Sequence, residues 1–240
     1  QDPSNTHTCM AYDLFRAAGL PAPRCNFARV SMNGQDLGIY SHVESIKKHF
    51  LRRNFGSDEG NLYEAQLGDF GDSLKNNFQL KTNEEENDRS DLDAVVSALR
   101  ASDENLPGLL SQEVDIDEYI SFWAMETISG HWDSATGNAN NYFIYKNPET
   151  KLFQYIPWGT DAALVQENQL APGTGPLYRY TNIAARLYQI PQYREQYHAR
   201  VLALLDQVWD KDARGAEVDR IRDLTQTPEE EMPAVRAFIE

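Results

Sequence analysis

A short polar segment in the middle of the chain carries the residue types best suited to chemistry. Residues 131–138 read HWDSATGN, so Asp133 follows His131 by two positions and precedes Asn138 by five. A carboxylate can accept a proton from a hydroxyl group, and an amide oxygen can help to hold a divalent cation. The alternative is structural, since an aspartate in a loop often stabilises that loop through an Asx turn. The segment is therefore a candidate site for proton transfer beside a metal ion.

The same spacing occurs in the catalytic loop of protein kinases, His-Arg-Asp-x-x-x-x-Asn, which also lies between a helix and a hairpin. In this chain the pattern holds at His131, Asp133 and Asn138, and Trp132 stands in place of the arginine. Asp133 then corresponds to the catalytic base. A polar loop contains an aspartate and an asparagine at this spacing often enough by chance that the pattern needs support from other residues.

A second acid, Asp161, supplies that support. It follows a predicted hairpin over residues 142–156, where a kinase places the aspartate that binds Mg²⁺. Mg²⁺ takes few protein ligands and completes its shell with water and phosphate oxygens, so one aspartate and one asparagine suffice. We favour Asn141 because it directly precedes a predicted strand; Asn138, with the kinase spacing, and Asn140 are alternatives. For Asp161 the structural alternative is a turn or a helix cap.

The tripeptide Asp69-Phe70-Gly71 matches the metal-binding motif of protein kinases in its letters. It precedes Asp133 by about sixty residues, whereas the metal-binding aspartate of a kinase follows the catalytic loop. We interpret it as a chance match in a loop rich in Gly and Asp.

The hydrophobic pattern predicts an α+β protein in the order helix, hairpin, helices, polar loop, hairpin, helices. Asn33-Gly34 is a strong signal for the first hairpin, and Ser45 is a candidate cap for the helix after it. The predicted helices cover residues 7–18, 45–55, 90–101, 115–129, 182–190, 191–209 and 218–224, and the predicted strands cover 26–32, 37–43, 62–63, 78–80, 142–145 and 153–156.

Composition excludes some classes of function. The 240 residues carry a net charge of −15, which makes nucleic acid an improbable partner because its binding draws on Lys and Arg. No run of eighteen apolar residues exists, so the sequence predicts no membrane span. Cys9 and Cys25 form either one disulfide or two buried thiols, and without a CxxC pair a cysteine-based zinc site is excluded.

Ordered matches along most of the chain, from Asp2 to about Leu164, resemble the spore-coat H (CotH) kinase family. That resemblance implies an atypical protein kinase fold that transfers phosphate from ATP, with Mg²⁺, to Ser-containing segments of surface or coat proteins. It also implies a location outside the cell or on the cell or spore surface. The landmarks are Leu14-Phe15, Gly19-Leu20-Pro21-Ala22-Pro23-Arg24, Asn33-Gly34, Gly38-Ile39-Tyr40, Val43-Glu44, Phe50-Leu51, Phe55-Gly56, Gly60-Asn61-Leu62-Tyr63, Trp132-Asp133, Asn140-Asn141-Tyr142-Phe143-Ile144-Tyr145 and Ile156-Pro157-Trp158.

Carried over by residue, the resemblance implies Asp133 as the catalytic base and Asp161 as the metal-binding acid. Trp158 is a candidate to stack on adenine, with a place in the core as its alternative. Glu44 ends the first hairpin, where the linker between kinase lobes is expected; it contacts nucleotide or forms a salt bridge at the rim. Lys81 is a candidate to reach phosphate from the long loop.

One departure from the family pattern concerns the start of the chain. The family takes its phosphate-covering turn and phosphate-binding lysine from strands before the first helix, and we expect these strands to be missing here. The expected fold is a two-lobe kinase-like fold with a truncated N-terminal lobe at 1–45 and a mainly helical catalytic lobe at 46–240. A non-catalytic surface binding protein on this scaffold is the main alternative, and a hydrolase dependent on divalent cations is a third.

Overall fold

The computed structural model describes residues 2–166 and 177–240. Within these ranges the fold is α+β, as the sequence predicts. The helices are α1 His7–Ala17, α2 Lys48–Phe55, α3 Ser90–Leu99, α4 Leu106–Leu110, α5 Ile116–Ile128, α6 Ala135–Asn138, α7 Asn182–Gln189, α8 Pro191–Val208, α9 Lys211–Thr225 and α10 Pro233–Ile239. The strands are β1 Cys25–Met32, β2 Gln35–Val43, β3 Leu62–Ala65, β4 Phe78–Leu80, β5 Tyr142–Lys146 and β6 Phe153–Pro157, and short 3₁₀ turns lie at Leu74–Asn77, Thr160–Ala162 and Glu229–Glu231.

A four-stranded antiparallel sheet in the order β4-β3-β5-β6 lies at the centre. Side chains alternate between the two faces of a sheet, and here both faces carry apolar residues. One face carries Tyr63, Tyr142 and Tyr155, which belong to the main hydrophobic core with helices α1, α3, α5, α7 and α8. The other face packs against α2 in a smaller cluster of Ile46, Phe50, Leu51, Phe55, Leu62, Phe143, Tyr145 and Ile156.

The predicted first hairpin forms a separate two-stranded sheet, β1-β2. Asn33 and Gly34 both have positive φ, 54° and 81°, which a two-residue turn between twisted strands requires. A disulfide joins Cys9 of α1 to Cys25 of β1, which decides between the two states that the sequence left open. The hairpin is therefore anchored to the main core through α1.

Helix α5 runs through the middle of the core. The Asp115 side chain caps its first turn by accepting a hydrogen bond from the Glu118 backbone N–H at 3.1 Å. The indole of Trp123 is fully buried and stacks on Tyr197 of α8, with ring centroids 3.9 Å apart. Burial around its whole circumference makes α5 a rigid support for the loop that follows it.

Some predicted boundaries are wrong. Helix α2 begins at Lys48 rather than at Ser45, because the preceding Ile46 turns into the small cluster under the sheet. Helix α9 begins at Lys211 rather than at residue 218, with Asp210 as its cap, and its polar first turns carry no apolar period for the sequence to reveal. In the ranges that the structure describes, none of the helices combines the length and apolar character that crossing a bilayer requires.

Candidate functional site

The carboxylate of Asp133 lies at the centre of the site. It accepts side-chain amide hydrogen bonds from Asn138 at 2.6 Å, Asn140 at 3.2 Å and Asn141 at 2.7 Å. The sequence treated these three asparagines as alternatives, and the structure brings all three onto the same carboxylate. Each asparagine uses its Nδ2 atom for this contact. Its Oδ1 atom can therefore accept a hydrogen bond or bind a cation.

The loop between α5 and β5 takes its shape from local contacts. The Ser134 hydroxyl caps the short helix α6 by accepting a hydrogen bond from the Gly137 backbone N–H at 3.2 Å. A Cβ atom at Gly137 would lie 1.9 Å from the carbonyl oxygen of Trp132, so only glycine allows the chain to close here. Sequence reasoning missed the role of Gly137, although a glycine inside the 131–138 segment was the available signal.

Buried polar atoms without a partner concentrate in this loop. Among the described residues, five buried side-chain nitrogen or oxygen atoms lack a hydrogen-bond partner, and three of the five are His131 Nδ1, Trp132 Nε1 and Asn138 Oδ1. Folded proteins leave few buried polar groups unpaired, and the exceptions need a specific explanation such as a functional role. Their concentration beside Asp133 makes this loop a candidate functional site.

His131 connects the loop with the segment after β6. Its ring is buried, and Nε2 lies 3.4 Å from the carbonyl oxygen of Trp158. Burial lowers the pKa of His131 to about 4, although the carbonyl of Trp158 and the charges of Asp133 and Asp161 act in the opposite direction. The ring is thus neutral at neutral pH, and both acidic side chains are near enough to influence its titration.

Asp161 is the exposed residue of the 3₁₀ turn after β6, as a candidate metal ligand should be. Helix α1 holds this turn in place. The Thr160 hydroxyl donates to the Thr8 carbonyl at 3.1 Å, and His7 Nδ1 lies 2.5 Å from the Ala163 carbonyl oxygen. The Tyr12 hydroxyl also contacts Thr160, and burial raises its pKa above the usual range. The position of Asp161 therefore depends on contacts far apart in the sequence.

A cavity of about 670 Å³ lies between the start of α2 and one face of the sheet. Trp158 lines it, packs edge-on against Phe143 with ring centroids 5.6 Å apart, and donates its backbone N–H to the Asn141 carbonyl at 3.1 Å. This last contact connects the cavity with the residues around Asp133. The lining residues are Ser45, Ile46, Lys47, Lys48, Leu62, Glu64, Lys81, Thr82, Glu84, Phe143 and Trp158.

The two other candidate nucleotide contacts lie in different places. Lys81 lines the cavity with Trp158, and its ammonium group forms an ion pair with Glu64 at 2.6 Å. Glu44 lies in a separate groove, where both carboxylate oxygens pair with Arg53 at 2.5 and 2.7 Å and one accepts the Arg24 backbone N–H. The structure thus groups Lys81 with Trp158, whereas Glu44 forms a salt bridge outside that cavity.

Asp69 of the Asp-Phe-Gly tripeptide has a structural role. It is buried, and its carboxylate accepts hydrogen bonds from the backbone N–H groups of Asn182 at 2.9 Å and Phe70 at 2.7 Å. Burial raises the pKa of Asp69. The residue holds the start of α7, which supports the interpretation of the tripeptide as a chance match.

The oxygen atoms of the site fit a small hard cation that shares its shell with phosphates. In the ranges 2–166 and 177–240, no three His, Cys, Asp or Glu side chains are grouped for a metal ion. Asp161 and the Oδ1 atoms of Asn138 and Asn141 are the candidate donors, and Asn138 Oδ1 is one of the unpaired buried atoms. Mg²⁺ is usually bound by one or two carboxylates together with substrate phosphates, so this small donor set suits it.

Comparison with known proteins identifies a family and a relative. A family model described as CotH kinase protein matches residues 1–240. The chain is also 26% identical over 211 residues to the inner spore coat protein H of Bacillus subtilis (strain 168). That alignment covers 82% of this chain and 58% of the relative, so the chain spans less than two thirds of the relative's length.

Proposed function

Because the chain belongs to the CotH kinase protein family, we propose that it is an atypical protein kinase that transfers phosphate from ATP to serine or threonine hydroxyls of surface or coat proteins. One observation carries the proposal: three asparagine amides hold the carboxylate of Asp133, and one of them, Asn141, accepts the backbone N–H of Trp158, which lines the cavity. An oriented carboxylate can position an acceptor hydroxyl, and positioning is a large part of what a protein supplies in phosphoryl transfer.

The proposed fold is the two-lobe kinase-like arrangement, with residues 1–45 as the remainder of the N-terminal lobe and 46–240 as the catalytic lobe. The separate β1-β2 sheet supports an independent N-terminal element. Helix α1, in contrast, packs within the main core. In this proposal α1 therefore joins the two lobes and supports the turn that carries Asp161.

In the proposed complex, the adenine base lies against the indole of Trp158. A large flat π-face suits a flat base, and Ile46 and Leu62 add apolar surface to the same cavity. The lysines that line the cavity, Lys81 above all, attract the phosphate groups. Positioning and electrostatic stabilisation supply most of the catalysis in phosphoryl transfer, so these contacts account for binding and orientation.

The proposed chemical step takes place at Asp133. Asp161 and Oδ1 of Asn141 or Asn138 would hold Mg²⁺, which neutralises charge on the β- and γ-phosphates when it is bound. Asp133 orients the acceptor hydroxyl and takes its proton. The acceptor oxygen bonds to the γ-phosphorus while the bond to the β,γ-bridging oxygen breaks, and ADP leaves. The amides of the three asparagines keep the Asp133 carboxylate in its orientation during the transfer.

The name of the relative supports the proposed location and partner class. The relative is an inner spore coat protein. We therefore place this chain at a spore or cell surface and propose proteins with Ser-containing segments as its substrates. Identification of phosphorylated coat or surface proteins in cells with and without the gene tests this part of the proposal.

The decisive experiment measures ATP binding and phosphate transfer separately in the full-length natural protein. Thermal stability is followed with ATP, with and without Mg²⁺, and transfer is followed from γ-labelled ATP to the protein itself and to dephosphorylated casein. ATP at about a hundred times its Kd adds roughly 2.7 kcal/mol, a rise of several degrees at about 2–4 °C per kcal/mol. We expect a Mg²⁺-dependent shift that Asp161→Ala loses, and transfer that Asp133→Asn abolishes without losing the shift.

The other outcomes distinguish the alternatives. A shift without labelled protein in any variant would favour a nucleotide-binding surface protein without catalysis, and free phosphate without labelled protein would favour a hydrolase. Absence of both shift and transfer would refute the kinase proposal.

A further inference from the structure

The buried carboxylate of Glu126 in α5 contacts the loop that carries Asp133. Only 1% of the surface of Glu126 is exposed. Its Oε1 accepts a hydrogen bond from the Ala135 backbone N–H at 3.0 Å. Its Oε2 accepts from the Thr136 backbone N–H at 2.9 Å and from the Thr136 hydroxyl at 2.5 Å. All three donors belong to the two residues that open the short helix α6.

These contacts are specific to the loop. The first N–H groups of a helix have no partner within the helix, and α6 is too short to be stable without outside acceptors. A buried carboxylate is costly unless its oxygens are hydrogen-bonded, and an apolar side chain would fill the same space in the core more cheaply. The buried carboxylate of Glu126 therefore gives the loop a defined conformation, although an apolar residue at this position would stabilise the core more.

We propose that Glu126 is a positioning residue for Asp133: by holding the backbone of Ala135 and Thr136, it fixes the loop in which the Asp133 carboxylate meets its three asparagines. Its effect on phosphate transfer rests on the proposed kinase function. Its effect on the order of the loop does not depend on that function, so the two effects can be tested separately.

The protonation of Glu126 changes these contacts near neutral pH. Burial raises the pKa of Glu126 to about 7, although the hydrogen bonds from Thr136, Ala135 and Ser134 act to lower this pKa. A protonated carboxyl turns one acceptor oxygen into a donor, so it cannot accept all three hydrogen bonds. As the pH falls through about 7, the loop should therefore become less ordered while the fold is retained.

The tyrosines around Glu126, in α5 itself and in the neighbouring elements, stay neutral in this range. They are four tyrosines: Tyr119 in α5, Tyr142 in β5, Tyr197 in α8 and Tyr178. Burial raises the pKa of each, that of Tyr178 to about 12. The change near pH 7 should therefore belong to Glu126.

Protonation of Glu126 affects global stability in the opposite direction to its effect on the loop. Because the folded protein binds the Glu126 proton more tightly than the unfolded chain, this group favours folding at low pH. That contribution decreases as the pH rises from the ordinary pKa of glutamate to about 7. Disorder of the loop at low pH would thus occur without a loss of global stability from this residue.

The test is hydrogen exchange at the Ala135 and Thr136 amides, resolved by NMR and corrected for intrinsic rates. We expect exchange in Glu126→Gln to be faster by about tenfold or more, because hydrogen bonds to a charged acceptor are lost. In the unmodified protein the same amides should exchange faster as the pH falls through 7, and Glu126→Gln should lose that dependence. Glu118→Gln is the matched control, since Glu118 is a partly buried glutamate of the same helix but accepts from the Tyr155 backbone N–H in β6 at 3.2 Å.

Phosphate transfer supplies the second measurement. Glu126→Gln should lower kcat with little change in the KM for ATP, and Glu126→Asp should recover part of the loss. Unchanged exchange at both amides, or equally faster exchange throughout α5, would overturn the proposal. The pH titration of the unmodified protein gives this answer even if the variants do not fold. Faster exchange in a protein that transfers no phosphate would keep the positioning role and reject the kinase function instead.

Discussion

The backbone of Gly159 lies directly against the side chain of Asn141, so that a Cβ atom at position 159 would lie 2.6 Å from Cγ of the asparagine. Both residues have positive φ, 53° and 52°. Asn141 in turn donates to Asp133 at 2.7 Å, and Trp158 precedes Gly159. This single close approach therefore connects the cavity with the candidate catalytic carboxylate.

Replacement of Gly159 by alanine should move the Asn141 amide away from Asp133. A left-handed backbone costs a residue with a Cβ atom about 1–2 kcal/mol, and the added methyl group also overlaps the asparagine. We expect the free energy of unfolding to fall by that amount or more and phosphate transfer to fall by about tenfold, since removal of a positioning contact reduces rate more than binding. Denaturant titration and kcat measurements test both.

Gly215→Ala is the matched control for that variant. Gly215 lies in α9, with open space where its Cβ atom would be. Alanine there should raise stability by roughly 0.5–1 kcal/mol, because glycine is a poor helix former, and leave transfer unchanged. Equal loss of transfer in both variants would show that the effect at Gly159 is not specific to the site.

Removal of the Trp158 indole should weaken nucleotide binding. Trp158 is half-buried at the wall of the cavity, where its ring packs edge-on against Phe143, and in the proposed complex it stacks on the adenine base. Trp158→Ala should raise the Kd for ATP by about tenfold, since stacking of a base on an aromatic ring contributes about 1–3 kcal/mol. Trp158→Phe should recover much of that affinity. Trp209→Phe, at a ring that packs against Phe238, is the control, and calorimetry of ATP binding gives the answer.

Lys81 and Glu64 should act in opposite directions on nucleotide binding. The ion pair lies on the cavity wall and is partly exposed, so it contributes little to stability, about 0–1 kcal/mol. Lys81→Met should weaken ATP binding, and Glu64→Gln should strengthen it by releasing the ammonium group for phosphate. Lys146→Met is the control, because Lys146 pairs with Glu113 outside the cavity. If both cavity variants bind ATP like the unmodified protein, Lys81 does not contact phosphate.

The spacing of residues in the sequence was enough to select the candidate site. The pattern at His131, Asp133 and Asn138 predicted the loop, and the position of Asp161 after a hairpin predicted the second acid. The loop lies between α5 and β5 and Asp161 follows β6, as predicted, because both are local features of the chain; the roles of Asp133 and Asp161 stay predictions. The first hairpin was predictable for the same reason, since Asn33 and Gly34 specify their own backbone geometry.

Features that depend on long-range contacts were not predictable. The cavity forms where α2 packs over strands β3 and β5, which lie far apart in the chain. Glu126 gave no periodic signal, because α5 is buried on all sides and its polar positions do not define a face. A glutamate within such a helix is nevertheless informative, since a buried charge needs donors from another element.

The surroundings of Asp69 and Asp133 separate a structural aspartate from the proposed catalytic one. Both stand in letter patterns that protein kinases share, yet Asp69 is buried and accepts hydrogen bonds from two backbone N–H groups, whereas Asp133 accepts three from side-chain amides. Asp69→Ala should lower the free energy of unfolding by about 1–2 kcal/mol, because the start of α7 loses its acceptor, and should leave kcat per folded molecule unchanged. Asp133→Asn should keep stability within about 1 kcal/mol and abolish transfer. Thermal unfolding and phosphate-transfer assays on the two variants test these roles. Loss of transfer in Asp69→Ala, at a temperature where this variant is folded, would contradict the structural role of Asp69.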